Sequence, residues 1–308
     1  MVATTEPSPA RTIAPVRRTI KTSRGYRVFQ VVNALVLSAV VLATLYPFVN
    51  LLAQSFSSET AIAAGRVDLI PKGFNLTTYK TVMSDPSFWE NYRNTVEYTV
   101  VATLIAMVLT TCYAYVLSKR NLKGRGFLIG VAVFTMFFNG GLIPNYVLVN
   151  ALGLRNSLWA IVLPNAVSVF NLLVMKAFFE NLPSDLEEAA AVDGLNTYGI
   201  LFRIVLPLSK AVLATMVLFY AVSFWNSWFT AFLYMDHSNL FPVTVYLRNL
   251  IAGATSGSNE GASSDTALQV AANIQAVTIV LTVLPILTVY PFVQKHFVSG
   301  VMLGAVKG

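Results

Sequence analysis

The sequence predicts an all-α, polytopic membrane protein with six transmembrane helices. Three observations carry that prediction. The 308 residues are 56% hydrophobic and only 11% charged, where an ordinary soluble domain carries about a quarter charged residues. The apolar residues gather into six stretches near the roughly 20 residues that a bilayer-crossing helix needs. The basic residues collect in alternate connecting segments, as they do when cytosolic loops hold the positive charge.

The first span is expected at 28–52. It is too long for the apolar region of a signal peptide and no clear A-x-A site follows it, so it reads as a retained anchor. Before it, residues 1–27 form a Thr/Pro/Arg-rich tail expected to be disordered. That tail holds Arg11, Arg17, Arg18, Lys21, Arg24 and Arg27. The second span is expected at 94–118 and the third at 127–149. The third contains NGGLIPN, Asn139 to Asn145, whose two glycines and Pro144 should break or kink a helix. The remaining spans are expected at 158–180, 210–235 and 268–292, followed by a short tail, 294–308.

Charge sets the expected orientation. With the N-terminus inside, the inner segments hold fifteen of the 21 Lys and Arg residues and the outer segments six. KRNLKGR, from Lys119 to Arg125, is the densest inner loop. Both termini are therefore expected in the cytosol, and the chain in the cytoplasmic membrane among its lipids. The long outer loops run over 53–92 and 236–266. The second contains the Gly/Ser-rich tract ATSGSNEGASS, whose composition favours flexibility.

One inner segment, 181–209, is polar where the rest of the chain is apolar. Its centre is EEAAAVDGLNTYGILFRIVLP, Glu187 to Pro207. SDLE, Ser184 to Glu187, has the form of a capping box, with Ser184 as N-cap and Glu187 three residues on. The short helix that follows should end at Asp193-Gly194, because glycine accepts the left-handed conformation there. A second short helix should start near Asn196 or Thr197 and stop before Pro207. Alanines in the first helix would let it seat deeply in a partner's groove.

The spacing Glu188-Ala189-Ala190, then Gly194, then Ile204, Leu206 and Pro207, reads E-A-A-x-x-x-G-x(9)-I-x-L-P. It resembles the EAA motif of permease subunits in binding-protein-dependent ABC importers at every fixed position. FNGGLIPNYVLVNALGLRNSLWAIVLP (Phe138 to Pro164), FWNSWF (Phe224 to Phe229) and YPFVQKHFVSGVMLGAVKG (Tyr290 to Gly308) are similar to a subgroup of maltose-type carbohydrate permeases. Many members of that subgroup serve oligosaccharides or polysaccharide fragments. The likeness spans about 28–308. It implies a type I importer permease (MetI-like) fold over 28–293 and an EAA coupling loop over 181–209. It also implies a second homologous permease, two cytosolic ATPase subunits and an extracellular or periplasmic solute-binding protein. By the same resemblance, Glu187, Glu188, Ala189, Ala190, Asp193, Gly194, Ile204, Leu206 and Pro207 would couple to the ATPase.

A sugar path calls for aromatic faces and amides in a concave site. Tyr220, Trp225, Asn226 and Trp228 of the fifth expected span are the candidates, with Asn139 and Asn171 beside them. An amide inside a span is costly unless it is paired or faces a cavity.

Other classes find little support. No G-x-x-x-x-G-K-[ST] loop occurs, so ATP chemistry is expected in a partner. Nor is there an H-E-x-x-H or G-x-S-x-G catalytic signature. His237 and His296 lack ligand spacing, so no metal or other cofactor is expected. No nucleic-acid module is present. Cys112 is the one cysteine and is expected as a small packing residue. An importer permease for a non-sugar solute is the alternative. A secondary transporter driven by an ion gradient is further off, because the expected spans carry almost no charges.

Overall fold

The computed structural model describes residues 24–256 and 273–288. Among them every regular element is helical. The tails 1–23 and 289–308, the tract 257–272 and the YPFVQK segment lie outside the described residues.

The chain divides at Val49/Asn50 into two units. Helix α1, Arg24–Ser55, crosses that division and is long and apolar enough to span a membrane. The second unit opens with two short helices, α2 (Glu59–Ala63) and α3 (Thr77–Ser84).

The axis of the second unit is α4, Pro86–Ser118, 33 residues long. At 1.5 Å per residue it reaches about 50 Å. Its start is well specified. The Asp85 carboxylate accepts from the Ser87 N–H at 2.9 Å, and Pro86 occupies the first turn, where its missing N–H costs nothing. Small residues set its packing: Ala102, Ala106 and Ala114 are fully buried, which lets neighbouring helices approach closely.

The third, fourth and fifth expected spans are broken. The third consists of α5 (Arg125–Phe137) and α6 (Leu142–Ala151), bent by 112°. As the glycines foretold, the break falls at Phe138–Gly141, with Gly141 at φ 92° and the Asn139 carbonyl accepting from its N–H. The fourth was expected as one helix over 158–180. Instead α7 (Leu158–Val162) runs into a 3-10 turn at Leu163–Asn165, and α8 (Val169–Glu180) follows at 54°. Pro164 sits in that turn, and the Ser168 hydroxyl accepts from the Asn171 N–H to start α8.

Two short helices follow, α9 (Ser184–Val192) and α10 (Thr197–Ile200), then a π-helical turn at Leu201–Val205 and α11 (Leu206–Leu208). The fifth span was expected to be continuous over 210–235. It stops at Asn226-Ser227, between α12 (Lys210–Trp225) and α13 (Trp228–Tyr234). Helix α14, Val243–Ser256, and an apolar helix α15, Asn273–Thr288, complete the described residues. Helix α15 is the described part of the sixth expected span. By length and composition, α1, α4 and the three bent pairs allow up to five crossings among the described residues.

The buried core follows α4 along its length, chiefly against α8 and α12. Near its C-terminal end Tyr115 and Leu117 pack with Leu172, Met175 and Phe179 of α8. Midway, Tyr98 and Ala102 meet Ile161, Tyr220 and Phe224. At its N-terminal end Phe88 packs with Val82, Val243 and Val277. Every fourth residue of α4 from Asn91 to Thr103 is polar and buried, a stripe that sequence reading missed. Cys112 is exposed rather than packed inside, because it lies on the side of α4 away from that core.

Candidate functional site

The Glu187–Pro207 segment folds as a helix, a corner and a second helix, and each part has a local cause. Helix α9 begins one residue earlier than the capping box requires. Ser184 is already helical, Pro183 precedes it, and no side chain caps the end. Glu187 does not turn back on its own helix. It forms an ion pair with Lys119, just past the C-terminal end of α4. A charged partner from another element outcompetes the local cap.

The corner closes by backbone bonds. The Leu195 N–H donates to Ala190 O at 3.0 Å, and the Gly194 N–H to Ala191 O at 3.1 Å. This is a Schellman motif, and Gly194 takes the left-handed conformation it needs, φ 85°. The Asn196 carbonyl then accepts from the Gly199 N–H at 2.8 Å and starts α10. A Cβ on Gly199 would stand 2.8 Å from Leu195 Cδ2, so the corner is also tightly folded on its inner side.

Pro207 does not stop this second helix, contrary to expectation. The helix widens to π geometry at Leu201–Val205, where the Leu206 N–H bonds to the carbonyl of Leu201, five residues back. The wider turn accommodates the proline ring that an α-turn would press against the carbonyl four residues earlier. The helix ends at Leu208, and α12 departs at 85°.

The corner is rooted on one side and open on the other. Ala190, Ile200, Leu201 and Val205 are buried among core residues of α4, α8 and α12. Leu206 packs against the same cluster, as does Ile204. Glu188, Ala189, Asp193 and Gly194 face outward. Around them stand exposed apolar side chains: Leu186, Val192 at 89% exposure, Tyr198 at 73% and Phe202. Beneath them, Glu180 at the end of α8 pairs with both Arg125 and Lys176. Lys119 and Arg125 come from the KRNLKGR loop. Their role was missed, although a basic cluster and an acidic segment expected on one side of the membrane were a usable signal.

The substrate-path candidates do not form one site. Tyr220 is buried, and its hydroxyl bonds to Thr110 Oγ1 at 2.6 Å and accepts from the Ser168 N–H at 2.9 Å. It joins three elements. Trp225 is likewise buried, donating from Nε1 to Thr282 O at 3.2 Å. Each of these amphipathic aromatics satisfies its polar atom against a neighbouring helix, and Trp225 also lines a small apolar cleft with Thr99, Leu218 and Pro285. Asn139 and Asn171 lie apart from them, Asn139 capping the turn before α6 and Asn171 buried in the first turn of α8. Asn226 and Trp228 do meet. They line one side of an open cleft of about 470 Å³, and Thr244, Leu247, Arg248 and Ala252 of α14 line the other. Asn226 also donates to Val222 O at 2.9 Å, closing the end of α12.

The N-terminal end of α4 is held differently. Asn94 donates to Asn239 O and Phe241 O, Tyr98 to Leu240 O, and the Val243 N–H to Thr95 Oγ1. Tyr246 donates to the Asp85 carboxylate at 2.6 Å. That bond holds the Asp85 carboxyl below its ordinary range, while burial and the same bond push the Tyr246 phenol up. Asp236 is held low by its bond from Asn156, with the Arg155 guanidinium adding to the effect.

Comparison with known proteins now bears on this arrangement. Residues 81–302 match the family described as "Binding-protein-dependent transport system inner membrane component". Protein LplC of Bacillus subtilis is 41% identical over 290 residues, covering 94% of this chain and 98% of the relative. A Bacillus subtilis protein described as a polygalacturonan/rhamnogalacturonan transport system permease, YtcP, is 43% identical over 267 residues, covering 85% and 92%. A crystal structure of a bacterial ABC transporter involved in importing the acidic polysaccharide alginate contains a similar chain. Its TM-score is 0.81 at 34% identity, covering 91% of this chain and 100% of that one.

Proposed function

This chain belongs to the family of binding-protein-dependent transport system inner membrane components, and we infer from that membership that it is the permease subunit of an ATP-driven carbohydrate importer. Its cargo is an oligosaccharide or polysaccharide fragment. The named substrates of its relatives support that class. It works beside a second homologous permease, two cytosolic ATPase subunits and a solute-binding protein outside the membrane. ATP hydrolysis belongs to the ATPase subunits and not to this chain. The six-span domain runs over 28–293 in the cytoplasmic membrane, with both termini and the 181–209 loop in the cytosol.

The observation that carries this reading is the corner at Gly194. It is rooted in the core, yet it presents an apolar rim around Glu188 that nothing among the described residues covers. A monomer has no use for such a rim, whereas a docking partner does. The mechanism follows from the contacts. When ATP closes the ATPase dimer, α9 moves with it as a rigid body. The Lys119–Glu187 pair and the Ala190 contacts pass that displacement to the end of α4. The breaks at Ser209, Ala166–Ser168 and Asn226–Ser227 let the helix segments reorient between inward- and outward-facing states.

The test is substrate-stimulated ATP hydrolysis in the reconstituted complex. Glu188→Ala and Gly194→Val should each lower it toward the unstimulated rate. Normal coupling in both variants would rule out the assignment.

A further inference from the structure

Three cations stack on aromatic rings among the described residues, and they do not have the same company. Lys119 lies over Tyr115 and is paired with Glu187. Arg155 lies over Tyr146 and is paired with Asp236. Arg248 lies over two rings, 4.1 Å from the centroid of Phe232 and 5.4 Å from that of Trp228. No carboxylate among the described residues pairs with it.

We propose that Arg248 is the carboxylate receptor of a subsite for an acidic, uronate-type sugar unit in the cleft between α13 and α14. The proposal rests on the carbohydrate-importer reading and narrows its substrate class to acidic oligosaccharides.

The chemistry of the cleft fits that ligand. Ring stacking uses the face of a guanidinium and leaves its edges free. Those edges carry N–H donors in the fork that matches a carboxylate. Trp228 is 40% exposed and stands in the same cleft, a surface for the apolar face of a pyranose. Asn226 adds an amide at the rim, and the volume of about 470 Å³ lies within the range of small-ligand sites. An ammonium on a flexible stem would attract a carboxylate as well, but it lacks the planar fork. Two of the similar proteins are named for polygalacturonan/rhamnogalacturonan and for the acidic polysaccharide alginate. Uronate carboxylates are the feature those polymers share.

The experiment is uptake by the complete complex in proteoliposomes, with the cognate solute-binding protein outside and ATP inside. The paired probes are trigalacturonate and its fully methyl-esterified form, in which each carboxylate is replaced by a neutral methyl ester. The readout is the ratio of kcat/KM for the two sugars. It is internal to each preparation and so independent of assembly yield. Wild type should favour trigalacturonate. Arg248→Gln should cut that ratio at least tenfold, mainly by raising KM for the acidic sugar, and Arg248→Lys should fall between. An unchanged ratio in Arg248→Gln would overturn the proposal, as would equal loss of both sugars, which signals a docking or structural role. Wild-type uptake of the ester or of maltotriose, with trigalacturonate refused, would overturn this inference alone. Uptake of none of the three, together with ATP-driven uptake of a non-sugar solute, would overturn the carbohydrate reading with it.

Discussion

The two ends of α4 are held by different chemistry. At the C-terminal end, charged side chains pair across loops: Lys119 with Glu187, and Arg125 and Lys176 with Glu180. At the N-terminal end, polar side chains bond to backbone groups about 145 residues away in sequence, at Asn239, Leu240, Phe241 and Val243. The first end also leaves Val192, Tyr198 and Phe202 uncovered, whereas at the second Phe88, Val243 and Val277 are all fully buried. These ion pairs are partly exposed, with side chains 13–34% accessible, so water can replace either partner during a displacement. Of the bonds at the second end, the one from the Val243 N–H to Thr95 Oγ1 is buried and costly to break. The contrast suits a helix fixed at one end and worked from the other.

The largest effect should come from the fixed end. Thr95→Val keeps the shape but removes the acceptor for the buried Val243 N–H. Leaving such a donor unpaired costs about 1–3 kcal/mol, which thermal unfolding of the purified complex would register. At the other end, Gly194→Ala tests the corner alone. A Cβ there meets no neighbour within 4 Å, so the cost is backbone strain at φ 85°, about 1–2 kcal/mol. Faster hydrogen exchange confined to the corner would show it.

Smaller still is the ion pair. A double-mutant cycle on Lys119→Met and Glu187→Gln should give a coupling of about 0.2–1 kcal/mol, shrinking with added salt. A coupling several times larger would mean that the end near Lys119 is as rigid as the other, and the contrast would fail. The smallest effect concerns pH. The carboxyl of Asp85 is depressed in the folded chain, chiefly by the Tyr246 hydroxyl. Its contribution is therefore complete above the ordinary carboxylate range and is lost as pH falls through the lowered folded value. Tyr246→Phe should narrow the difference in melting temperature between pH 7 and pH 2, which brackets the range over which that contribution is lost.

What was legible in the sequence follows from how local the cause is. Apolar length located the membrane segments, and NGGLIPN located the break between α5 and α6. The glycine at 194 marked the corner, because only the left-handed region closes it there. The breaks at Ala166–Ser168 and Asn226–Ser227 carry no glycine to mark them, although Pro164 stands just before the first. Glu187 satisfied a capping pattern, but tertiary contact with Lys119 prevailed. Tyr220 and Trp225, expected as sugar-path aromatics, also bond across neighbouring helices, which no local pattern shows. Arg248 counted in the sequence only as one more charge of an outer loop. Its two rings, and the lack of a paired carboxylate among the described residues, are facts of packing.

The central claim is that the uncovered rim at Gly194 is the seat of an ATPase subunit. Val192→Arg tests it most directly, because Val192 is 89% exposed and a charge there costs the fold little. Co-purification from membranes gives the readout. The account predicts that the variant still assembles with its partner permease but loses the ATPase subunits. Recovery of those subunits at the wild-type ratio, with substrate-stimulated hydrolysis intact, would contradict it.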